Sequence, residues 1–226
     1  MITVRWLGHS SFHIKTPESS LLIDPFFTGN PKAPKDAMDI RADYILVSHG
    51  HGDHVGDALE LARRDNATLI SNYEIACWFE AKGIKAHGMQ HGGGHAFPFG
   101  RCKLTLAFHG SALPDGSNGG NPAGFLLTFT NGKTFYDAAD TALFGDMRLI
   151  GDEGIDLAAL PIGDNYTMGP ADSLRAVGFL RPKQVFPIHY NTFRIIEQDA
   201  YEWARNVRSQ TTAQALVLEP GAVIEL

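Results

Sequence analysis

The densest set of metal-ligand side chains in the sequence lies in seven residues, Ser48-His-Gly-His-Gly-Asp-His54. Imidazole and carboxylate are the donors that suit borderline divalent metals. Three histidines and an aspartate within six residues exceed what one ion takes from so short a loop, so the spacing points to two ions. Glycines at 50 and 52 are expected to let the loop turn tightly and aim several side chains at one point. One histidine alone would read as a helix cap or a solvated loop residue; the group of four reads as a ligand loop.

The flanking sequence supplies the elements that must hold this loop. Tyr44-Ile-Leu-Val47 is a continuous apolar run, as expected of a strand buried on both faces. Val55, Ala58, Leu59 and Ala62 then follow at the spacing of one amphipathic helix. Strand-to-helix loops are where α/β proteins tend to place ligands. Upstream, short strand patterns at residues 2–7, 11–15 and 21–24 alternate with turns and predict an antiparallel meander. Downstream, the pattern predicts a strand at 67–70 and a helix at 72–82. A second β-rich stretch follows at 101–109, 124–130 and 133–137, with Asn131-Gly132 as a hairpin turn. Strands at 155–160, 184–188 and 215–218 then alternate with helices at 170–180 and 199–208. Meander, helices, meander, helices implies an α/β fold of two packed sheets with helices outside, in one domain over residues 1–226.

Other polar residues sit where these elements end. His109 closes an apolar strand; the stripe Cys102, Leu104, Leu106 and Phe108 is expected to face the core and leave His109 on the other side. Asp24 ends a strand before Pro25, where a carboxylate could fix a histidine tautomer or simply form the turn. His9, Asn165 and Tyr190, with Asp164, are candidates for pocket walls, each equally readable as an ordinary loop residue. His91-Gly-Gly-Gly-His95 reads as a mobile loop held by no strand, facing solvent or substrate. His13 is expected on a solvated strand face and His87 in a loop.

Composition narrows the class. The 226 residues carry 19 basic and 25 acidic side chains, a formal net charge of −6, which argues against a protein that coats nucleic acid. No apolar run approaches the roughly 18 residues of a membrane span, and the start lacks the pattern of a signal peptide, so a cytoplasmic location is expected. Cys77 and Cys102 show no spacing of a disulfide framework or zinc knuckle. No Gly-x-Ser-x-Gly motif surrounds Ser10 or Ser11, so no serine nucleophile is evident.

The His-x-His-x-Asp-His loop resembles the hallmark of the metallo-β-lactamase superfamily. That superfamily draws a further histidine, aspartate and histidine from later strand ends, and His109, Asp140 and His189 stand in that order. Blocks across nearly the whole chain extend the likeness: Trp6-Leu-Gly-His-Ser10, Leu22-Ile-Asp-Pro-Phe26, Ala107-Phe-His-Gly-Ser111, Asp140-Thr-Ala-Leu-Phe144, Leu160-Pro-Ile-Gly-Asp-Asn165 and Pro187-Ile-His-Tyr-Asn-Thr-Phe193. They are similar to the short bacterial and archaeal family called uncharacterised metal-dependent hydrolases, related to ascorbate-6-phosphate lactonase.

This resemblance implies a four-layer αββα sandwich. It makes His49, His51 and His109 the ligands of one ion and Asp53, His54 and His189 those of a second, with Asp140 bridging and Asp24 supporting the loop. Asp53, Asp140 and His109 would stand nearest the chemistry. One departure is Ala139, where the family usually has glycine, and Asp137 is a nearby rival for the bridging role. Zinc is the first expectation for the two divalent ions, while manganese, iron or nickel would also suit a His/Asp set.

The implied activity is metal-assisted hydrolysis of a small-molecule ester, lactone, amide or phosphoester. Two bound dications would move the net charge to about −2, which favours an anionic substrate. The competing readings are a nuclease or phosphodiesterase of the same fold, an oxygen-reducing di-iron protein, and a non-enzymatic metal- or ligand-binding module. Against them stand the small size, the lack of a flavin-binding domain and the complete ligand set. A homo-oligomer stays open.

Overall fold

The computed structural model describes residues 1–226. The chain opens with β1 (Thr3–Trp6), β2 (Phe12–Lys15) and β3 (Ser20–Ile23), paired antiparallel as the succession of short strands and turns predicts. Parallel strands follow: β4 (Tyr44–Leu46), β5 (Thr68–Asn72) and β6 (Ala86–Met89). Between them run α1 (Gly52–Val55), α2 (Ala58–Asp65) and α3 (Tyr73–Glu80), the last capped by the Asn72 side chain, which accepts from Ile75 N.

The second half repeats the plan. β7 (Gly94–Phe97), β8 (Gly100–Leu106), β9 (Ala123–Phe129) and β10 (Thr134–Asp137) form an antiparallel run. β11 (Leu157–Pro161), β12 (Gln184–Ile188) and β13 (Gln214–Ala215) then extend it in parallel, joined by α4 (Met147–Gly151), α5 (Pro170–Leu180) and α6 (Ala200–Gln210). Finally β14 (Val223–Glu225) returns to the first sheet beside β1. Two seven-stranded mixed sheets result, in the orders β14-β1-β2-β3-β4-β5-β6 and β13-β12-β11-β10-β9-β8-β7.

Strand periodicity explains the layers. In β3, β4 and β5, Leu21, Ile23, Leu46 and Ile70 enter the core shared with the second sheet. Their neighbours Leu22, Ile45, Val47 and Leu69 point the other way, into a core with Leu61 and Ala62 of α2 and Ile75 and Phe79 of α3. Both faces of these strands are therefore covered, which is why the run at 44–47 is apolar throughout.

Several expectations need correction. The single helix expected from Val55 is broken at Gly56, and Leu61 rather than Leu59 is fully buried. Gly56 has φ +41 and a Cβ there would meet Pro25 O, so the chain must bend at that point. The stripe of β8 fails after Leu104: Leu106 and Phe108 are 43% and 58% exposed, because the strand ends at Leu106 and the chain beyond leaves the inter-sheet core. The glycine-rich segment 91–95 is tied down, with Gly94 and His95 in β7. His87 lies in β6, its ring 4.3 Å from that of His95, and half-buried His13 bonds Ser20 Oγ through Nε2 at 2.9 Å. The last predicted strand is shorter than 215–218, and β6, β14 and α4 carry little periodicity over so few residues.

Topology places four strand ends together. β8 and β10 are both antiparallel to β9 and so run the same way, while β11 and β12 continue parallel to β10. The chain leaving β8, β10 and β12 therefore emerges at one edge of the second sheet. The loop after β4 joins it there: Ala123 N donates to Ser48 O (3.0 Å), and Gly50 N to Ser111 Oγ (3.1 Å).

Candidate metal centre

The 48–54 loop is held by its surroundings more than by its own turn. Neither Gly50 nor Gly52 has positive φ, contrary to the expectation of a glycine-driven turn. Gly50 is instead required by close approach, since a Cβ would lie 2.9 Å from the backbone of Ser111 and Ala112. His51 precedes α1 without a side-chain bond to it, and Asp53 and His54 lie within that short helix, so they are turned apart from His49 and His51. His49 and His54 are fully buried, whereas His51 and Asp53 are half-buried.

Two clusters of donors follow. In the first, His49 Nε2 lies 3.0 Å and His109 Nε2 3.2 Å from His51 Nδ1. In the second, Asp140 Oδ2 is 3.0 Å from His189 Nε2 and 3.3 Å from His54 Nε2, while Asp53 Oδ2 is 3.8 Å from His189 Nε2. Asp140 also reaches the first cluster, 3.5 Å from His109 Nε2. Thr141 fixes that neighbourhood: its Oγ1 accepts from Phe108 N at 3.0 Å and donates to Ala142 O at 2.9 Å, lashing the loop after β8 to the loop after β10. Ala139 adopts φ +51, a left-handed conformation that readily admits glycine.

Asp24 and Ser48 determine which nitrogens face inward. Asp24 Oδ1 accepts from Ser48 N (2.8 Å), and its Oδ2 accepts from Ser48 Oγ (2.5 Å) and from His54 Nδ1 (2.7 Å). With its proton given to Asp24, Ser48 Oγ accepts from His49 Nδ1 at 2.9 Å. Both Nε2 atoms are thereby directed at the clusters, the arrangement that orients histidine ligands in metal sites. Asp24 thus acts through His54 and Ser48.

Charge is distributed unevenly. Burial pushes His49 well below its ordinary value and lowers His109, so both are neutral. In the second cluster burial is overcome. Asp140 and Asp24 hold His54 well above its ordinary value, and Asp140 raises His189 to about 9. The carboxyls answer in kind: despite burial, His189 and His54 hold Asp140 well below the usual range, and the nearby His189 and the bonded His9 do the same for Asp53. Asp137 differs. Burial and Asp24 push it well up, and its Oδ2 is buried without a partner, while Asp140 takes the position among the histidines.

These residues fit a pair of cations. Three imidazole nitrogens converge in the first cluster with no carboxylate among them, at separations near the roughly 3.3 Å edge of a tetrahedron of metal–nitrogen distances of about 2.05 Å. In the second, His54 Nε2 and Asp140 Oδ1 are buried and lack hydrogen bonds. Oxygen and imidazole donors without cysteine suit zinc, manganese, iron or nickel alike.

The pocket candidates are placed differently from one another. Tyr190 turns away from the clusters and stacks on Trp6 at 5.9 Å, bordering with His9 a cavity of about 410 Å³. Asn165 is exposed in a turn whose Met168 N donates to Thr141 O. His9 is buried against the second cluster, Nε2 3.1 Å from Asp53 Oδ2. Ser48, Thr141 and Thr192 lie within the quoted motifs, but nothing in residue type or spacing gives them a role, which comes from contacts formed on folding.

A model of the beta-lactamase superfamily domain matches residues 20–190. A protein of Heliobacterium modesticaldum named UPF0173 metal-dependent hydrolase is 49% identical, covering 100% of this chain and 98% of the relative. Among solved structures, Igni18, a metallo hydrolase from the archaeon Ignicoccus hospitalis, aligns with TM-score 0.91 and 35% identity over 100% of this chain and 99% of its own. CmlA, a diiron β-hydroxylase from Streptomyces venezuelae, shares the fold at TM-score 0.76 and 13% identity, over 100% of this chain and 54% of its own. The two seven-stranded sheets with ligand loops at their strand ends are thus the metallo-β-lactamase fold. The chain belongs to the beta-lactamase superfamily, in the group of UPF0173 metal-dependent hydrolases.

Proposed function

We propose that the protein hydrolyses a small-molecule ester, lactone, amide or phosphoester using two divalent cations, zinc foremost, with His49, His51 and His109 holding one and Asp53, His54 and His189 the other. The observation that carries this reading is the position of Asp140, whose Oδ2 lies within 3.5 Å of imidazoles from both clusters. When bound, such a pair supplies Lewis-acid polarisation of the scissile group and lowers the pKa of water.

The chain's own residues prepare the site. Asp24 and Ser48 hold the Nε2 atoms of His54 and His49 inward. The donors at the mouth, where a substrate arrives, are half-buried His51 together with Asp53 and His109, whose side chains are 29% and 13% exposed. Asp53 is anionic at neutral pH and so can accept and orient a proton of an attacking water there. Phe108 and Phe193, 58% and 40% exposed, offer apolar surface for the uncharged part of a substrate.

The relatives' name supports the hydrolase reading, whereas the fold alone is shared with a hydroxylase. The test is a hydrolysis screen of metal-stripped protein reloaded separately with zinc, manganese, iron or nickel, with metal content measured alongside. Hydrolysis that appears only on reloading, with two ions per chain, is the expected outcome. Undiminished activity in the stripped protein, or saturation at one ion, overturns it.

A further inference from the structure

His9 reaches the second cluster from the loop after β1, in the sheet that also carries Asp53 and His54, and faces His189 of the other sheet. It follows β1, adopts φ +53, and its carbonyl accepts from Trp6 Nε1 at 3.0 Å and from His189 N at 3.2 Å. Its ring lies 4.1 Å from the ring of His189 and is walled edge-on by Phe26 and Phe193, each 5.7 Å away. The side chain has no exposure to solvent. A ring locked in this way has one orientation, and its hydrogen bonds are sheltered from water, where they are stronger.

Its two nitrogens have different partners. Nε2 faces Asp53 Oδ2 at 3.1 Å, and an ionised carboxylate only accepts, so Nε2 carries the proton. Nδ1 then accepts from Thr192 Oγ1 at 2.9 Å. The chain Thr192–His9–Asp53 spans both sheets and ends on the one carboxylate ligand that the 48–54 loop contributes. Asp24 holds His54 by a comparable carboxylate–imidazole link. The first cluster has no carboxylate among its three imidazoles, and of these only His49 is tied to one, through Ser48 to Asp24.

We propose that His9 is a positioning residue which, with Thr192 behind it, aims the Asp53 carboxylate at the second cluster and so sets the metal affinity of that half of the centre alone. This rests on the two-ion reading above. Partners of this kind, removed singly, weaken metal binding about 10–100-fold.

The test compares His9→Asn and His9→Gln by titrating metal-free protein with Co(II) and following its visible spectrum. Asparagine tolerates the left-handed backbone but is too short to reach Asp53, whereas the glutamine amide can place a donor where Nε2 stands. His9→Asn is expected to weaken one of two cobalt ions about 10–100-fold and alter its band, leaving the other unchanged, and His9→Gln to restore much of the loss. Equal weakening of both ions, or of neither, overturns the proposal. So does loss of one ion altogether in both variants, which would make His9 a ligand.

A second measurement needs no metal. Long-range proton–nitrogen spectra of the metal-free protein should find the His9 proton on Nε2, and Thr192→Val should shift its Nδ1 resonance. A proton on Nδ1 overturns the link to Asp53. Wild-type protein that binds only one cobalt refutes the two-ion reading, while the nitrogen spectra still decide the role of His9.

Discussion

The two donor clusters are built from similar residues but prepared in opposite ways. His49, His51 and His109 meet as imidazoles only, and burial keeps His49 and His109 neutral. Asp53, His54, His189 and Asp140 meet as a charge-paired network in which two histidines are pushed up by the carboxylates around them. The first cluster has its lone pairs ready. The second must release protons before a cation can enter, but then offers it two anionic oxygens. The difference follows from the second sheet, which brings Asp140 and His189 against the far end of the ligand loop.

Removing the shared group should erase the contrast. Asp140→Ala is expected to weaken metal binding at both clusters by at least about 100-fold, with hydrolysis lost alongside, since a ligand should matter more than the orienting partners that cost 10–100-fold. His51→Ala should affect only the first cluster. Metal analysis after gel filtration reads both: a full complement in Asp140→Ala would break the comparison, as would a total loss in His51→Ala.

Proton release should sharpen it. His54 and His189 are raised above the ordinary 6.5, so their contribution to the stability of the metal-free protein is complete below about pH 6.5 and is lost as pH rises, for His189 through about 9. Metal uptake by the second cluster must expel these protons, so its affinity should climb across the same window and uptake at pH 7 should release protons. The first cluster should release few. Calorimetry in two buffers of different ionisation enthalpy measures this directly, and equal release by both ions would contradict the assignment of charge.

The smallest effect concerns the backbone that presents Asp140. Ala139 holds φ +51, which costs an L-residue roughly 1–2 kcal/mol, partly offset by the greater freedom glycine has in the unfolded chain. Ala139→Gly should therefore raise stability by roughly 0.5–1 kcal/mol in denaturant titrations without altering metal stoichiometry. A destabilised variant would show that the methyl group, buried at 1% exposure, contributes packing that outweighs the strain.

Much of the frame could be read from pattern. The alternation of β1 and β2, the apolar run of β4, the proline start of α5 and the strand at 184–188 all stand where periodicity and capping chemistry put them. These are local signals, fixed by side-chain spacing along one element. The errors are of two kinds. At Leu106 and Phe108 the two-residue period continues in sequence after the facing sheet has ended in space. At Gly50 the glycine reads as a turn residue, but the Ser111–Ala112 segment 61 residues away is what requires it.

The candidate donor types, the loop that carries four of them and the strand ends that carry the other three were legible along the chain, because ligand chemistry and periodicity are written in residue identity and short spacing. Folding in three dimensions is what ends β8, β10 and β12 on one edge opposite β4, brings Asp140 rather than Asp137 into the gap between clusters, and turns His9 inward onto Asp53. Those outcomes depend on strand direction, on a left-handed residue at 139 and on packing between opposite sheets. Contacts across tens to hundreds of residues leave no period along the chain.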